Sequence, residues 1–125
     1  MAEVKREYYE FTGELLREVF TINGKKNGEL KRYRMNGQLL CSINYVDDKK
    51  NGEEIWYDED DKIQCVYMYQ NDMRNGVSKQ YYDNGNLYTI LNFIDDKKNG
   101  ECIHYHIDGR IDKICYYFND KKIEN

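Results

Sequence analysis

The sequence repeats itself with a period of 24 residues. The phrase Lys-Lys-Asn-Gly-Glu occurs at 25–29, 49–53 and 97–101, and 73–77 carries a degenerate copy, Met-Arg-Asn-Gly-Val. When the chain is set in rows of 24, one column holds only tyrosine, and the column six places further on holds only Leu or Ile. The tyrosines are Tyr9, Tyr33, Tyr57, Tyr81 and Tyr105. A period of about 20 to 50 residues indicates identical supersecondary units stacked along one axis.

Glycine marks the breaks within each unit. Eight of the nine glycines fall in two columns, Gly13, Gly37, Gly85, Gly109 and Gly28, Gly52, Gly76, Gly100. The runs between these breaks are short and rich in Tyr, Ile, Val and Leu, which is typical of strands joined by hairpin turns. The sequence therefore predicts an all-β protein in which five tandem 24-residue β-hairpins form an elongated single-layer antiparallel meander. Its single repeat domain, 1–125, divides at approximately 4–27, 28–51, 52–75, 76–99 and 100–125.

The turn within each hairpin sets the register. A three-residue loop, Met35-Asn36-Gly37, puts Tyr33 opposite Leu39, so that two uniform columns face each other. We then expect the odd positions of both strands, such as Tyr33, Leu39, Ile43 and Tyr45, to share one face. For this face to continue, the connecting segment Asp-Asp-Lys-Lys-Asn-Gly has to contain a bulge or have an odd effective length.

The third row has Asp61 where the other rows have glycine. Aspartate tolerates a left-handed backbone better than most residues, so we expect this turn to form at a cost of roughly 1 kcal/mol.

Charge and composition restrict the classes of partner. The chain has 19 basic and 23 acidic residues and a formal net charge of −4, which argues against a nucleic-acid-binding protein. Lysine pairs recur at 25–26, 49–50, 97–98 and 121–122, but most have aspartates beside them, so solvated turns are expected and binding to membrane lipid is not. Four irregularly spaced cysteines, no signal peptide and no long apolar run predict a cytoplasmic protein with free thiols.

The tyrosine columns form the first candidate site. Tyr33, Tyr57, Tyr81 and Tyr105, with Tyr45 and Tyr69, are predicted to line a groove. Stacked rings commonly serve packing alone. However, the sequence contains no helix to cover this face, and open apolar faces usually mark interfaces. Packing alone, and packing combined with binding of a partner, both remain open.

A second apolar patch is predicted on the other face. Its columns become more apolar toward the C-terminus, and its members are Trp56, Met68, Ile90, Ile94, Ile114 and Phe118. Partial burial by twist of the sheet is one interpretation. A partner or dimer surface centred on the last two rows is the other.

Metal binding and catalysis find little support. Cys102, His104 and His106 alternate along one predicted strand, as metal ligands can, but no fourth ligand is in register. Neither histidine has a nucleophile or carboxylate at a recognisable spacing. We predict a non-enzyme with no cofactor.

Cys41 and Cys65 share a column. Two intervening strand spacings would hold their Cα atoms about 10 Å apart, which is beyond the reach of a disulfide.

The pattern Tyr-x-x-Asn-Gly-x-Leu at 33–39 and 81–87, together with Lys-Lys-Asn-Gly-Glu, resembles the MORN repeat, in the bacterial variant found in YwqK-family antitoxins. The resemblance implies a sheet of consecutive hairpins that mediates contacts between proteins, with lipid binding and dimerisation proposed for some members. The favoured function is a non-catalytic protein-interaction module, whose more specific form would be an immunity protein or antitoxin that binds a toxin. Alternatives are a scaffold that assembles as a dimer or end to end, and a binder of anionic lipid or metal.

Overall fold

The computed structural model describes residues 1–124, and all of its regular secondary structure is β. The strands are β1 (Ala2–Tyr8), β2 (Leu15–Ile22), β3 (Lys25–Tyr33), β4 (Leu39–Val46), β5 (Lys49–Tyr57), β6 (Ile63–Gln70), β7 (Met73–Arg74), β8 (Gly76–Tyr81), β9 (Leu87–Ile94), β10 (Lys97–Lys98), β11 (Gly100–Tyr105), β12 (Ile111–Phe118) and β13 (Lys121–Ile123). Within these residues no helix is long and apolar enough to cross a membrane.

All thirteen strands belong to one sheet, in which neighbours along the chain are also neighbours in space and every pair is antiparallel. β7 and β8 are two pieces of one hairpin arm, as are β10 and β11. The predicted all-β meander of consecutive hairpins is thus confirmed. At the C-terminal end β12 is not the outermost strand, because Tyr116, Tyr117 and Phe118 pair with β13.

The loops of the second to fifth hairpins have the predicted pairing, whereas in the first hairpin Tyr8, and not Tyr9, lies opposite Leu15. Tyr33 lies opposite Leu39, and Asp61 adopts a left-handed backbone with φ of 63°. One residue further along the ladder, Arg32 pairs with Cys41, so Leu40 is an extra residue in a bulge. The same shift recurs at the loop end of each of the five hairpins.

This bulge determines which side chains share a face. Directly opposed residues point to the same side of a sheet, and one unbroken row of such pairs crosses it: Arg17, Arg32, Cys41, Trp56, Cys65, Gln80, Thr89, His104 and Lys113. Cys102 and Cys115 lie on the same side, so we call this side the cysteine face.

Within residues 1–124 the seven buried apolar side chains all belong to the cysteine face: Val19, Leu30, Cys41, Ile43, Phe93, Cys102 and Cys115.

The predicted distribution of odd positions is wrong for the first strand of each hairpin. Because Arg32 is on the cysteine face and side chains alternate along a strand, Tyr33 lies on the opposite face. Ile43 and Tyr45, which pair with Leu30 and Gly28, lie on the cysteine face. The sequence does not reveal this, because the bulge inserts one residue without changing the 24-residue period.

The connections between hairpins are tighter than predicted. Val46 pairs with Lys49, which leaves Asp47 and Asp48 as a two-residue turn with φ of 48° and 67°. Two successive positive φ values define a type I′ turn, whose twist suits a hairpin. Equivalent turns are Asn23–Gly24, Asn71–Asp72, Asp95–Asp96 and Asn119–Asp120.

The Lys-Lys-Asn-Gly phrase therefore begins the strand that follows the turn. The register shifts between Ile43 and Tyr45, which confirms the expected bulge in this region. At the bulges the four glycines of the phrase have φ between 89° and 106°, a conformation that side chains with a Cβ rarely adopt.

Candidate functional site

A line of hydrogen bonds joins each hairpin to the next along the edge formed by the two-residue turns. The backbone N–H of Lys50 donates to the Asp72 carboxylate at 2.7 Å, and the Asp72 N–H donates to the Lys50 carbonyl at 3.0 Å. The same reciprocal pair occurs at three other positions, namely Lys26 with Asp48, Arg74 with Asp96 and Lys98 with Asp120. The sequence analysis missed this role of the aspartates, although their fixed spacing from the Lys-Lys pair is visible in the repeat.

The asparagine of each phrase contacts the first residue of the following turn. The Asn27 side chain donates to Asp47 Oδ1 at 3.1 Å and accepts from the Asp47 N–H at 3.0 Å. Asn75 and Asp95 make the same two contacts, at 3.0 and 3.3 Å. This explains why Asn recurs in the phrase and leaves little of this edge free for a ligand.

Cations lie over aromatic rings on the cysteine face. The ammonium groups of Lys26, Lys50 and Lys98 lie 4.8, 4.8 and 5.1 Å from the ring centroids of Tyr45, Tyr69 and Tyr117. Arg74 takes the equivalent place in the third copy, with its guanidinium carbon 4.6 Å from the Tyr67 ring and 5.5 Å from the Phe93 ring. Such contacts are attractive because the face of an aromatic ring is electron-rich. The prediction of solvated lysine pairs is therefore wrong for Lys26, Lys50 and Lys98, whereas both lysines of the pair 121–122 are exposed.

A buried acid lies near the middle of this face. Glu54 is 5% exposed and accepts a hydrogen bond from Lys50 Nζ at 2.7 Å. Burial by itself would lower the pKa of Lys50, but the hydrogen bond and negative charge of Glu54 outweigh it and raise the pKa above its usual value. The acid is therefore satisfied within the chain, and the pair is a structural contact.

The six tyrosines of the predicted groove are divided between the two faces. Tyr45 and Tyr69 are on the cysteine face beneath Lys26 and Lys50. The other four, Tyr33, Tyr57, Tyr81 and Tyr105, each follow a residue of the cysteine-face row and so lie on the opposite face. The prediction that all six tyrosines line one groove is therefore wrong. Whether either set binds a partner stays a prediction.

The second predicted patch is largely contiguous. Ile90 pairs with Ile103, which pairs with Ile114, and this row lies on the opposite face. Ile94 and Phe118 flank the row, with exposed fractions of 57% and 64%. Met68 is on the same face further toward the N-terminus, opposite Glu53. Trp56 does not belong to the patch, because it pairs with Cys41 and Cys65 on the cysteine face.

The sequence prediction did not include two members of this surface. Ile103 completes the row, and Tyr116 is 47% exposed beside it. Ile103 pairs with both Ile90 and Ile114, and Tyr116 lies two residues after Ile114 in the same strand. The strand register would therefore have identified both residues as members of this surface.

The possible metal ligands do not converge. Cys102 Sγ lies 3.4 Å from His104 Nε2, but His106 follows β11 in the loop and approaches Asp112 Oδ1 at 3.4 Å. Burial, and then the positive charge of Lys113, lower the pKa of His104. Across residues 1–124 no three Cys, His, Asp or Glu side chains are grouped so as to hold a metal ion.

The four cysteines are free thiols. Burial raises the pKa of Cys41, Cys65 and Cys102, which keeps these thiols protonated and weakly nucleophilic. Cys41 and Cys65 are separated by the strand that carries Trp56, as their shared column predicts. Cys102 and Cys115 are direct partners across β11 and β12, a proximity that the sequence analysis missed.

An open sheet of stacked hairpins with two accessible faces defines the class of this molecule as a single-layer β-hairpin repeat protein. Two adjacent segments, residues 50–71 and 74–95, match the family described as the MORN repeat variant. Repeats of this family are in general non-enzymatic modules that interact with proteins or membranes. No curated protein matches the chain.

Proposed function

We propose that this chain is a non-catalytic protein-binding module whose contact surface is the C-terminal part of the opposite face. The observation that carries the proposal is the continuous row Ile90, Ile103 and Ile114, flanked by exposed Ile94 and Phe118. Water-soluble sheets rarely leave large contiguous apolar areas uncovered unless a partner covers them. We call this surface, with Tyr116 included, the isoleucine patch.

Charges around the isoleucine patch indicate the partner's chemistry. Lys79, Lys97 and Lys121 pair with Ile90, Ile94 and Phe118 respectively, whereas Glu101 pairs with Tyr116. An apolar centre with a polar rim is the usual anatomy of a protein interface. The excess of lysine favours a partner whose own apolar patch is bordered by carboxylates.

The more specific role that we propose is that of a cytoplasmic immunity protein or antitoxin. The resemblance of the segments 33–39 and 49–53 to the repeats of YwqK-family antitoxins supports this role. The mechanism would be steric: a sheet fixed by inter-hairpin hydrogen bonds covers the functional surface of a toxin and prevents access to it. No catalytic group of this chain takes part.

The test compares two double variants at equivalent positions of different repeats. Ile94→Ser with Phe118→Ser removes two side chains of the isoleucine patch. Val46→Ser with Ile22→Ser changes two residues of the same 24-residue column on the same face, with exposed fractions of 51% and 41%. The binding partner to be tested first is the product of the gene adjacent to the one that encodes this chain. We expect the first variant to weaken binding by about tenfold or more, because exposed aromatic and aliphatic anchors dominate interfaces.

The control variant should bind as the wild type does. Equal affinities for all three proteins, or equal losses in both variants, would place the interface elsewhere. If the neighbouring product is a toxin and the first variant binds it normally, the isoleucine patch is not the inhibitory surface.

A second copy of this chain is the other candidate for covering the isoleucine patch. An exposed apolar surface on a sheet whose outer strand β1 has only one neighbour favours self-association. Light scattering over a concentration series distinguishes the two, since a scaffold would dimerise and the Ile94→Ser, Phe118→Ser variant would not. If the protein is a monomer at high concentration, the scaffold function is contradicted, and binding to a different protein remains as the explanation of the isoleucine patch.

A further inference from the structure

A shallow groove follows the loop ends of the third and fourth hairpins, where Cys65, Tyr67 and Gln80 of the cysteine face, together with Tyr81, line its middle part. It consists of three adjoining cavities of about 370, 340 and 280 Å³. Gln64 borders the first and second cavities, Tyr88 the second and third, and Asp83 the first and third. Because each pair of cavities shares a wall, one extended occupant would contact all three.

The first cavity is strongly acidic. Asp58, Glu59, Asp60 and Asp83 line it, with Arg34 as its one basic residue. Within residues 1–124 none of these four carboxylates forms an ion pair. The Arg34 guanidinium donates instead to the Tyr57 carbonyl at 3.1 Å. The Lys62 ammonium donates to the Asp83 carbonyl at 3.1 Å, so four carboxylates face two cations and the cavity keeps a net negative charge.

Turn geometry does not account for this acidity. The loop of the second hairpin folds with Met35-Asn36-Gly37, and that of the fourth with Asp83-Asn84-Gly85, whereas the third uses Glu59-Asp60-Asp61. Only Asp61 has the positive φ that the turn requires, and one oxygen of Asp58 accepts from the Asp60 and Lys62 N–H groups. Glu59 and Asp60 have no such structural role for their side chains.

The third cavity is aromatic. Tyr82 and Tyr88 meet edge to face with ring centroids 5.0 Å apart, and Asp83 lies beside them. On the cysteine face the chain places its own cations over tyrosine rings, as with Lys50 and Tyr69. Among the described residues no cation lies over Tyr82 or Tyr88. These rings, next to a carboxylate, form the kind of surface that attracts an arginine or lysine side chain.

We propose that this groove binds an extended arginine- or lysine-bearing segment of a protein partner. One cationic side chain would lie among Asp58, Glu59 and Asp60, and another would lie against Tyr88 near Asp83. Charge complementarity selects this occupant over an acidic or a purely apolar segment. No residue that lines the groove belongs to the isoleucine patch, so this proposal does not depend on the proposed function.

The probe is a short synthetic peptide of alternating Arg and Gly, with a Glu-and-Gly peptide as its counterpart. Amide NMR spectra of the isotopically labelled full chain, recorded during titration, locate the site and give the affinity. We expect the Arg peptide to shift amides at Gln64, Gln80, Asp83 and Tyr88, and the Glu peptide to leave them unchanged. Binding should weaken as salt is raised from about 0.05 to about 0.3 M, because the charges are exposed.

Three variants test the assignment. Glu59→Gln with Asp60→Asn removes two charges from the groove, and Glu53→Gln with Glu101→Gln removes two exposed charges from the opposite face as a matched control. Tyr88→Leu removes the ring without changing charge, and Leu16 and Leu40 occupy the same column in other hairpins. We expect the groove double variant and Tyr88→Leu each to weaken peptide binding by about three- to tenfold. The control should bind within about twofold of the wild type.

Equal losses in the two double variants would show only an effect of net charge and would overturn the proposal. Full affinity in Tyr88→Leu would remove the aromatic end of the groove from the site. If calcium chloride alone shifts the groove amides and the Arg peptide does not, the carboxylates form a cation site and the peptide proposal is wrong.

Discussion

The backbone N–H of Lys50 and the carboxylate of Asp72 are joined by a hydrogen bond of 2.7 Å, across the boundary between two repeats. Lys50 lies in the first strand of one hairpin and Asp72 in the turn that leads to the next. The Asp72 N–H returns a hydrogen bond to the Lys50 carbonyl, so the aspartate acts as a short additional strand partner. In a repeat protein, where each unit contacts only its neighbours, such a contact contributes to the interface energy of every junction that has it.

We predict that Asp72→Gly lowers the free energy of unfolding by about 1 kcal/mol, because the Lys50 N–H loses its protein acceptor. Glycine suits the positive φ of 67° at this position, so the loss is not due to backbone strain. Asp72→Asn keeps an acceptor oxygen and tolerates the same φ, and it should remain within about 0.5 kcal/mol of the wild type. Urea denaturation measures both. A glycine variant as stable as the wild type would show that the side-chain contact contributes nothing.

The turn at Asp61 offers a stabilising change. We predict that Asp61→Gly raises the free energy of unfolding by about 0.5 to 1 kcal/mol, since glycine adopts positive φ without the steric penalty of a Cβ. Asp60→Gly is the matched control: it removes the same charge from a neighbouring position whose φ is not positive. The control should be neutral or destabilising. A similar gain in both variants would attribute the effect to reduced charge repulsion in the acidic loop.

Cys102 and Cys115 should form a disulfide on oxidation. Directly opposed residues in antiparallel strands have Cα atoms about 4.5 to 5.5 Å apart, which lies within the range for disulfides. Treatment with glutathione disulfide would oxidise the two thiols and reduce the reagent to glutathione, and non-reducing peptide mapping would identify the bond. Cys41 and Cys65, which have a strand between them, provide the internal control. Equal cross-linking of both pairs would contradict the register.

The protein should lose stability in alkaline solution. Burial raises the pKa of Cys41, Cys65 and Cys102 above 9.0, and that of Tyr45 and Tyr67 above 10.0. A group whose pKa is higher in the folded state contributes its full stability below its ordinary pKa, and loses it as pH rises through the folded value. The free energy of unfolding should therefore fall as pH rises above about 9.

Urea denaturation at a series of pH values measures this loss. A Cys41→Ala, Cys102→Ala variant should show a smaller fall just above pH 9, because two of the three raised thiols are absent. Stability that stays constant or increases up to about pH 10 would contradict the burial of these groups.

The 24-residue repeat predicts most of the fold. The columns of Tyr33 and Leu39 predict strands, the three-residue loop and the pairing between them, because these depend on local turn chemistry and period-2 alternation. The left-handed backbone of Asp61 was predictable for the same reason, since a turn imposes its φ on whichever residue occupies the position.

The candidate sites were harder to predict because they depend on which face of the sheet each side chain occupies. The bulge that pairs Arg32 with Cys41 puts Tyr33 and Tyr45 on opposite sides, although the period makes them look like members of one groove. Trp56 was wrongly grouped with Ile90 for the same reason. A single inserted residue in each hairpin reverses the orientation of every side chain beyond it on that strand and leaves no mark in a sequence that repeats the insertion every 24 residues.

The sequence by itself determined the hairpin unit, its number and its antiparallel order, because turn glycines and alternating apolar residues act over a few neighbouring positions. The tertiary structure decided which groups meet across units: the Lys50 N–H with the Asp72 carboxylate, and the acids of the third loop with Asp83 of the fourth. These contacts depend on the stacking of whole hairpins, where the exact placement of bulges and turns fixes which residues of adjacent repeats come within bonding distance.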